Sequence, residues 1–200
     1  MKSRLIVLIL AGFLAGGGLA AGLYALQNQP TTGQNQVLSG TAQIGGPFTL
    51  TDHTGKRVTE KDFQGRFTLI YFGYTYCPDV CPAELQVISA AIDQLGEKGD
   101  KVTPVFVTVD PERDTVKQMA SYVVNFHKRL VGLTGNPSEI REAAKAYRVY
   151  YAKSKDGSAT DYLMDHSSIV YLMSPQGKYL AHFSYGTGVD EMARGIAKFL

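Results

Sequence analysis

The chain of 200 residues has no tryptophan, only two cysteines, and almost no excess of charge, with 20 Lys and Arg against 18 Asp and Glu. Two cysteines cannot build the dense disulfide framework of a small secreted domain, and a chain of this length buries a core without one. Near-neutrality excludes an acidic, solvating chain and leaves no electrostatic reason to expect nucleic acid as a partner. There is no internal repeat, and the length suits one globular domain with a short appendage. No cysteine lies near Ala20, so a lipid-modified cysteine is excluded as an anchor there. With no scaffold to build, the two cysteines are left for chemistry.

The chain does have a long apolar start. Lys2 and Arg4 precede Leu5 to Leu26, a run of 22 residues without a charge. As a helix this run would be roughly 33 Å long, enough for the hydrocarbon core of a bilayer. Leu19-Ala20-Ala21-Gly22 imitates a signal-cleavage site, but Leu23, Tyr24, Ala25 and Leu26 carry the run past it. Residues 1–26 are therefore expected to form an uncleaved transmembrane anchor, with no length before it for a mitochondrial transit peptide. The positive-inside bias keeps Lys2 and Arg4 in the cytoplasm, which predicts a single-pass protein of the bacterial inner membrane with a periplasmic soluble domain. Without those two charges the rest is neutral, so no polybasic docking on lipid is expected. Residues 27–43, rich in Gln, Asn, Thr and Gly, read as a flexible tether to a domain spanning 44–200.

From Pro47 the pattern alternates between strand and helix. Phe48 to Thr51 and Arg57-Val58 flank a turn sequence and read as a hairpin. Phe67 to Phe72 and Val102 to Val109 are continuous apolar and β-branched runs, expected of strands buried on both faces. Helical spacing of apolar residues predicts helices over Glu84–Leu95, Asp114–His127 and Pro137–Arg148, the last started by Asn136. Ser168 to Met173 and Lys178 to Ser184 flank Ser174-Pro175-Gln176-Gly177 and should pair antiparallel, before a terminal helix carrying Val189, Met192, Ala193, Ile196 and Phe199. This order predicts an α/β protein, a thioredoxin-like mixed sheet flanked by helices and preceded by one N-terminal transmembrane helix.

The chemistry concentrates in Cys77-Pro78-Asp79-Val80-Cys81-Pro82, between a buried strand and an amphipathic helix, where α/β folds place ligands. Two cysteines four apart face each other across a helical turn, which suits a redox-active disulfide or two thiolates converging on a metal. A purely structural bridge closes so short a loop that it gains little. A metal needs a third ligand. His53 falls in a surface turn, His127 at a helix end and His182 in mid-strand; His166 opens a late strand after Leu163-Met164-Asp165.

Cys77-Pro-Asp-Val-Cys81-Pro, Val109-Asp110-Pro111-Glu112-Arg113-Asp114 and Asp165-His166-Ser167, in that order, resemble the signatures of the Sco (SenC/PrrC-like) family. The resemblance implies a thioredoxin-like fold and a copper metallochaperone. It places copper, as Cu(I) or Cu(II), on Cys77, Cys81 and His166. The implied receiver is the copper A-containing subunit of cytochrome c oxidase, and a thiol reductant or another copper carrier is the other implied partner. The donor types agree: two soft thiolates suit Cu(I), an added imidazole accommodates Cu(II), and three ligands leave room for an incoming one. Zinc accepts the same donors, but no fourth ligand is evident for a closed structural site. The rival reading is a thiol–disulfide oxidoreductase that reduces the oxidase subunit's cysteines before copper enters, through the same Cys77 and Cys81. A thiol peroxidase would want an arginine beside its cysteine, and none is local to Cys77. Asp110, ending a buried strand, is a candidate to orient the site from behind its ligands. Glu112 and Arg113 read as ordinary turn residues and Asp114 as the cap of the next helix. Tyr74 and Tyr76 read as packing, and Tyr150, Tyr151 and the polar loop Lys153 to Asp161 as a candidate recognition surface.

Overall fold

The computed structural model describes residues 43–154 and 162–200. The expected anchor, nearly all of the tether and most of the loop after Lys153 lie outside the described residues. Among the described residues no helix is long and apolar enough to cross a membrane.

The first strand, β1 (Thr49–Asp52), turns through Gly55 into β2 (Arg57–Thr59), with Leu50 opposite Val58 as the hairpin pattern predicts. Gly55 takes a φ of +91° there, which a glycine adopts without steric cost. The central strand is β3 (Phe67–Gly73), buried from Thr68 onward. It pairs in parallel with β4 (Val102–Thr108), from Phe67 opposite Val102 to Gly73 opposite Thr108. Its other edge takes β8 (Ile169–Met173) antiparallel, and β8 in turn pairs with β9 (Tyr179–Ser184). A strand with a neighbour on each side and helices over it needs apolar residues at every position, which explains the unbroken Phe-Thr-Leu-Ile-Tyr-Phe run.

One sheet strand departs from the expected pattern. β5 (Val131–Thr134) lies parallel to β4 and antiparallel to β1, giving the seven-stranded order β2-β1-β5-β4-β3-β8-β9. It is only four residues long and contains Gly132, which weakens any strand pattern. The glycine is needed there: a Cβ would come within 2.7 Å of the Val123 side chain and 2.9 Å of Met119.

The helices are α1 (Val80–Gln94), α2 (Val116–Val123), α3 (Pro137–Ala146) and α4 (Val189–Ala197). Helix α1 packs on α4, α2 on β5 and α3 on β1, so the mixed sheet is flanked by helices as expected. Helix α3 begins as its sequence indicates, with Asn136 accepting from the N–H groups of Ser138 and Glu139 and with Pro137 in its first turn. Helix α2 is shorter than the apolar spacing suggests. Asn125 turns its side-chain amide back onto the carbonyls of Ser121 and Tyr122, taking the acceptors that mark the helix end. A separate ribbon, β6 (Tyr151–Lys153) with β7 (Met164–His166), completes the described structure.

Candidate metal centre

Helix α1 begins four residues before the expected Glu84, so Cys81 lies in its first turn and Cys77 just ahead of it. Pro82 is tolerated because first-turn N–H groups have no intrahelical acceptor. Cys81 is fully buried, whereas Cys77 is half-buried, and both are free thiols. Gly73 makes room for the buried one: a Cβ there would stand 2.8 Å from Cys81 Sγ. The Cys81 N–H donates to Cys77 Sγ at 3.4 Å, a helix-terminal donor spent on sulfur.

These contacts divide the two thiols. Cys77 is held far below the ordinary thiol range, at about 3, first by donation from the Cys81 thiol, which outweighs burial, and then by the N–H groups of Cys81 and Asp79. Cys81 is pushed up, first by that same shared proton and then by burial. The pair therefore stands as one thiolate at the opening and one protonated thiol beneath it.

His166 arrives on β7, paired with Tyr151 of β6, and its Nε2 lies 3.4 Å from Cys81 Sγ. Its Nδ1 lies 3.3 Å from the Ser167 carbonyl, which can only accept. That contact assigns the proton to Nδ1 and leaves the Nε2 lone pair facing the sulfur. The rings of Tyr71 and Tyr74 meet the imidazole edge-on, with centroids at 6.1 and 5.9 Å. Among the described residues, no group of three or more His, Cys, Asp or Glu side chains is already arranged to hold a metal ion. What the fold assembles is a thiolate, a thiol and an imidazole lone pair within hydrogen-bonding reach, a soft donor set that fits copper. The other histidines stand elsewhere: His53 accepts from the Gly132 N–H, His127 from the Arg129 N–H, and His182 meets the Tyr179 hydroxyl.

The segment after β4 departs from its expected turn-and-cap pattern. Asp114 does not cap α2; Thr115 does, accepting from the Gln118 N–H. Asp114 is instead fully buried and accepts from the Thr75 N–H at 2.9 Å and from the hydroxyls of Thr75 and Thr108 at 2.6 Å each. It thereby pins the base of the cysteine loop, although burial pushes its carboxyl above the usual range. Asp110 is also buried, but it spends its carboxylate on Arg113 Nε and on the Tyr162 hydroxyl. Arg113 lies over the rings of Tyr76 and Tyr74, so an arginine does stand beside the cysteine loop, brought from another segment and paired with Asp110. Neither Asp114 nor Arg113 carries a periodic signal, because what places them is contact with the cysteine loop, far away in the chain. Glu84, in α1, is buried with one carboxylate oxygen lacking a partner, and burial pushes it up to about 7. Tyr74, Cys77, Asp79, Leu163, Met164 and His166 are among the residues lining an open cleft of about 300 Å³ over the site.

Comparisons with known proteins bear on this geometry. Residues 36–200 match the profile of the SCO1/SenC family. Over 161 residues the chain is 50% identical to Protein SCO1 homolog 1, mitochondrial, of Arabidopsis thaliana, covering 80% of this chain and 48% of that protein. The chain thus spans about half the length of that relative. The crystal structure of Arabidopsis thaliana ScoI with copper bound aligns with a TM-score of 0.73 at 50% identity, covering 78% of this chain and 96% of that one. BsSco, described as having a disulfide switch and as a member of the Sco family of cytochrome c oxidase assembly proteins, aligns with a TM-score of 0.62 at 26% identity, covering 78% and 93%.

Proposed function

The chain belongs to the SCO1/SenC family, and from that premise we propose that it is a membrane-anchored copper carrier that holds its cargo on Cys77, Cys81 and His166. One observation carries the reading: residues 85 apart in sequence bring Cys81 Sγ and His166 Nε2 to 3.4 Å. The Cys77 thiolate, at the opening, meets the incoming ion first. Cys81 gives up its proton as the second ligand, and the Nε2 lone pair is the third. Two thiolates satisfy Cu(I), and the imidazole extends the site to Cu(II). With three protein ligands, a fourth position remains through which a ligand of the receiving protein enters before Cys77 leaves. Copper bound to ScoI and the oxidase-assembly description of BsSco support a receiver in cytochrome c oxidase, its copper A-containing subunit. The charge-free run at 5–26 supports an anchor over 1–26 in a bacterial inner membrane, with 27–43 as a tether and 44–200 as the periplasmic carrier domain.

The division between the thiols also favours a second activity. A thiolate at the surface with a buried thiol behind it is the arrangement of an attacking and a resolving cysteine. Cys77 would attack a disulfide of the oxidase subunit to form a mixed disulfide. Cys81, losing its proton, would then displace the second partner sulfur, leaving a Cys77–Cys81 disulfide and two reduced partner thiols. The two readings separate in the reduced full chain, titrated with Cu(I) and Cu(II) against chelators, as wild type and as His166→Ala, with disulfide reduction followed in parallel. A carrier loses tight Cu(II) binding on substitution while thiol exchange persists. A wild-type chain that holds no copper under competition ends the carrier reading.

A further inference from the structure

Arg113 is placed unlike an ordinary turn residue. Its guanidinium carbon lies 3.8 Å from the ring centroid of Tyr162, 4.8 Å from that of Tyr76 and 5.8 Å from that of Tyr74. All three lie within the range at which a cation is attracted to a ring face. Its Nε donates to Asp110, which is itself buried and also accepts from the Tyr162 hydroxyl at 2.8 Å. One terminal nitrogen, Nη2, is buried with no hydrogen-bond partner, consistent with its being faced by rings. The rings come from two segments. Tyr74 and Tyr76 belong to the loop that carries Cys77, whereas Tyr162 leads into the strand that carries His166.

We propose that Arg113 is a positioning residue of the copper site, tying the cysteine loop to the strand of His166 and so setting the reach of the imidazole to the thiols. The inference rests on the copper reading above. Cys77 and Cys81 come from one loop and one helix turn, so their mutual placement does not depend on Arg113. The placement of His166 does, because β7 lies outside the main sheet and Tyr162, which leads into it, is stacked against Arg113. A planar guanidinium stacks on rings with its faces while its edge bonds a carboxylate, and an ammonium cannot do both.

The test measures Cu(I) and Cu(II) affinities of the reduced full chain as Arg113→Gln and Arg113→Lys, together with the electron paramagnetic resonance spectrum of the Cu(II) form. Both variants should lose Cu(II) affinity by about 10- to 100-fold, the usual cost of removing a group that orients a ligand. Both should keep Cu(I) affinity and show an altered Cu(II) spectrum. In a His166→Ala background Arg113→Gln should cost nothing further. Unchanged Cu(II) affinity, full rescue by lysine, equal loss of both ions, or additivity with His166→Ala would each overturn the proposal. Should Arg113→Gln fail to fold, Tyr162→Phe keeps the ring, drops its bond to Asp110, and should show a smaller loss confined to Cu(II); equal loss of both ions there overturns it as well. The copper reading fails differently, through a wild-type chain that takes up neither ion.

Discussion

Cys81 is wholly buried in the first turn of a helix that also carries core residues Leu85, Ile88 and Ile92, whereas His166 ends a three-residue strand in a two-stranded ribbon outside the main sheet. The thiol half is fixed from below. Gly73 admits the sulfur against β3, and Asp114 pins Thr75 at the base of the loop. The imidazole half is held from the side, by the Ser167 carbonyl, by the edges of two tyrosines, and by the Arg113–Tyr162 contact. On the proposed carrier reading, the buried half would keep a soft ion in place while the side-held half changes the coordination without disturbing the core.

Within the thiol half the two cysteines should respond to alkylation in opposite ways. An ordinary thiol gains roughly 1,000-fold in thiolate, and so in alkylation rate, between pH 5 and 8. Cys77, already ionised from about 3 upward, should alkylate with iodoacetamide at a nearly constant rate over that range. Cys81, buried and protonated, should remain unlabelled in the folded chain. Peptide mapping after timed labelling distinguishes them, and a steep pH dependence at Cys77 would contradict the assigned thiolate.

Next in size is the stability of the two halves. Asp114→Ala strands the Thr75 and Thr108 hydroxyls and the Thr75 N–H in the interior, which should cost about 3 kcal/mol in denaturant unfolding. Ser167→Ala removes only an exposed acceptor for the Tyr150 N–H and should cost about 0.5 kcal/mol or less. Equal costs would abolish the contrast between a built-in and a side-held half.

A smaller effect follows from Glu84. Burial raises its carboxyl from 4.5 to about 7, so the folded chain keeps a proton that the unfolded chain releases. Stability should therefore fall as pH rises from about 4.5 through 7. Glu84→Gln should remove that slope, gaining on the order of 2 kcal/mol at pH 8 relative to pH 4. Parallel unfolding curves for wild type and variant at both pH values would contradict it.

Much of the fold is legible in the chain itself, and the remainder is hidden for physical reasons. β3, β4 and the cap of α3 announce themselves because burial on two faces and capping are local demands, met by neighbouring residues such as Asn136, Pro137 and Glu139. β5 does not, because its Gly132 serves the packing of α2 rather than the strand. The cysteine loop and His166 stand out through motif and order. Asp114, Arg113 and Tyr162 do not, since Thr75 lies 39 residues from Asp114 and Tyr162 lies 52 from Asp110, and no spacing rule reports such contacts.

The most direct test of a site assembled from two halves is the pair of copper affinities of the reduced full chain with and without the imidazole. His166→Ala should retain Cu(I) on Cys77 and Cys81 while its Cu(II) affinity falls by about 100-fold or more, beyond the cost of losing an outer-shell partner. Cu(II) binding that survives His166→Ala unchanged would contradict that assembly.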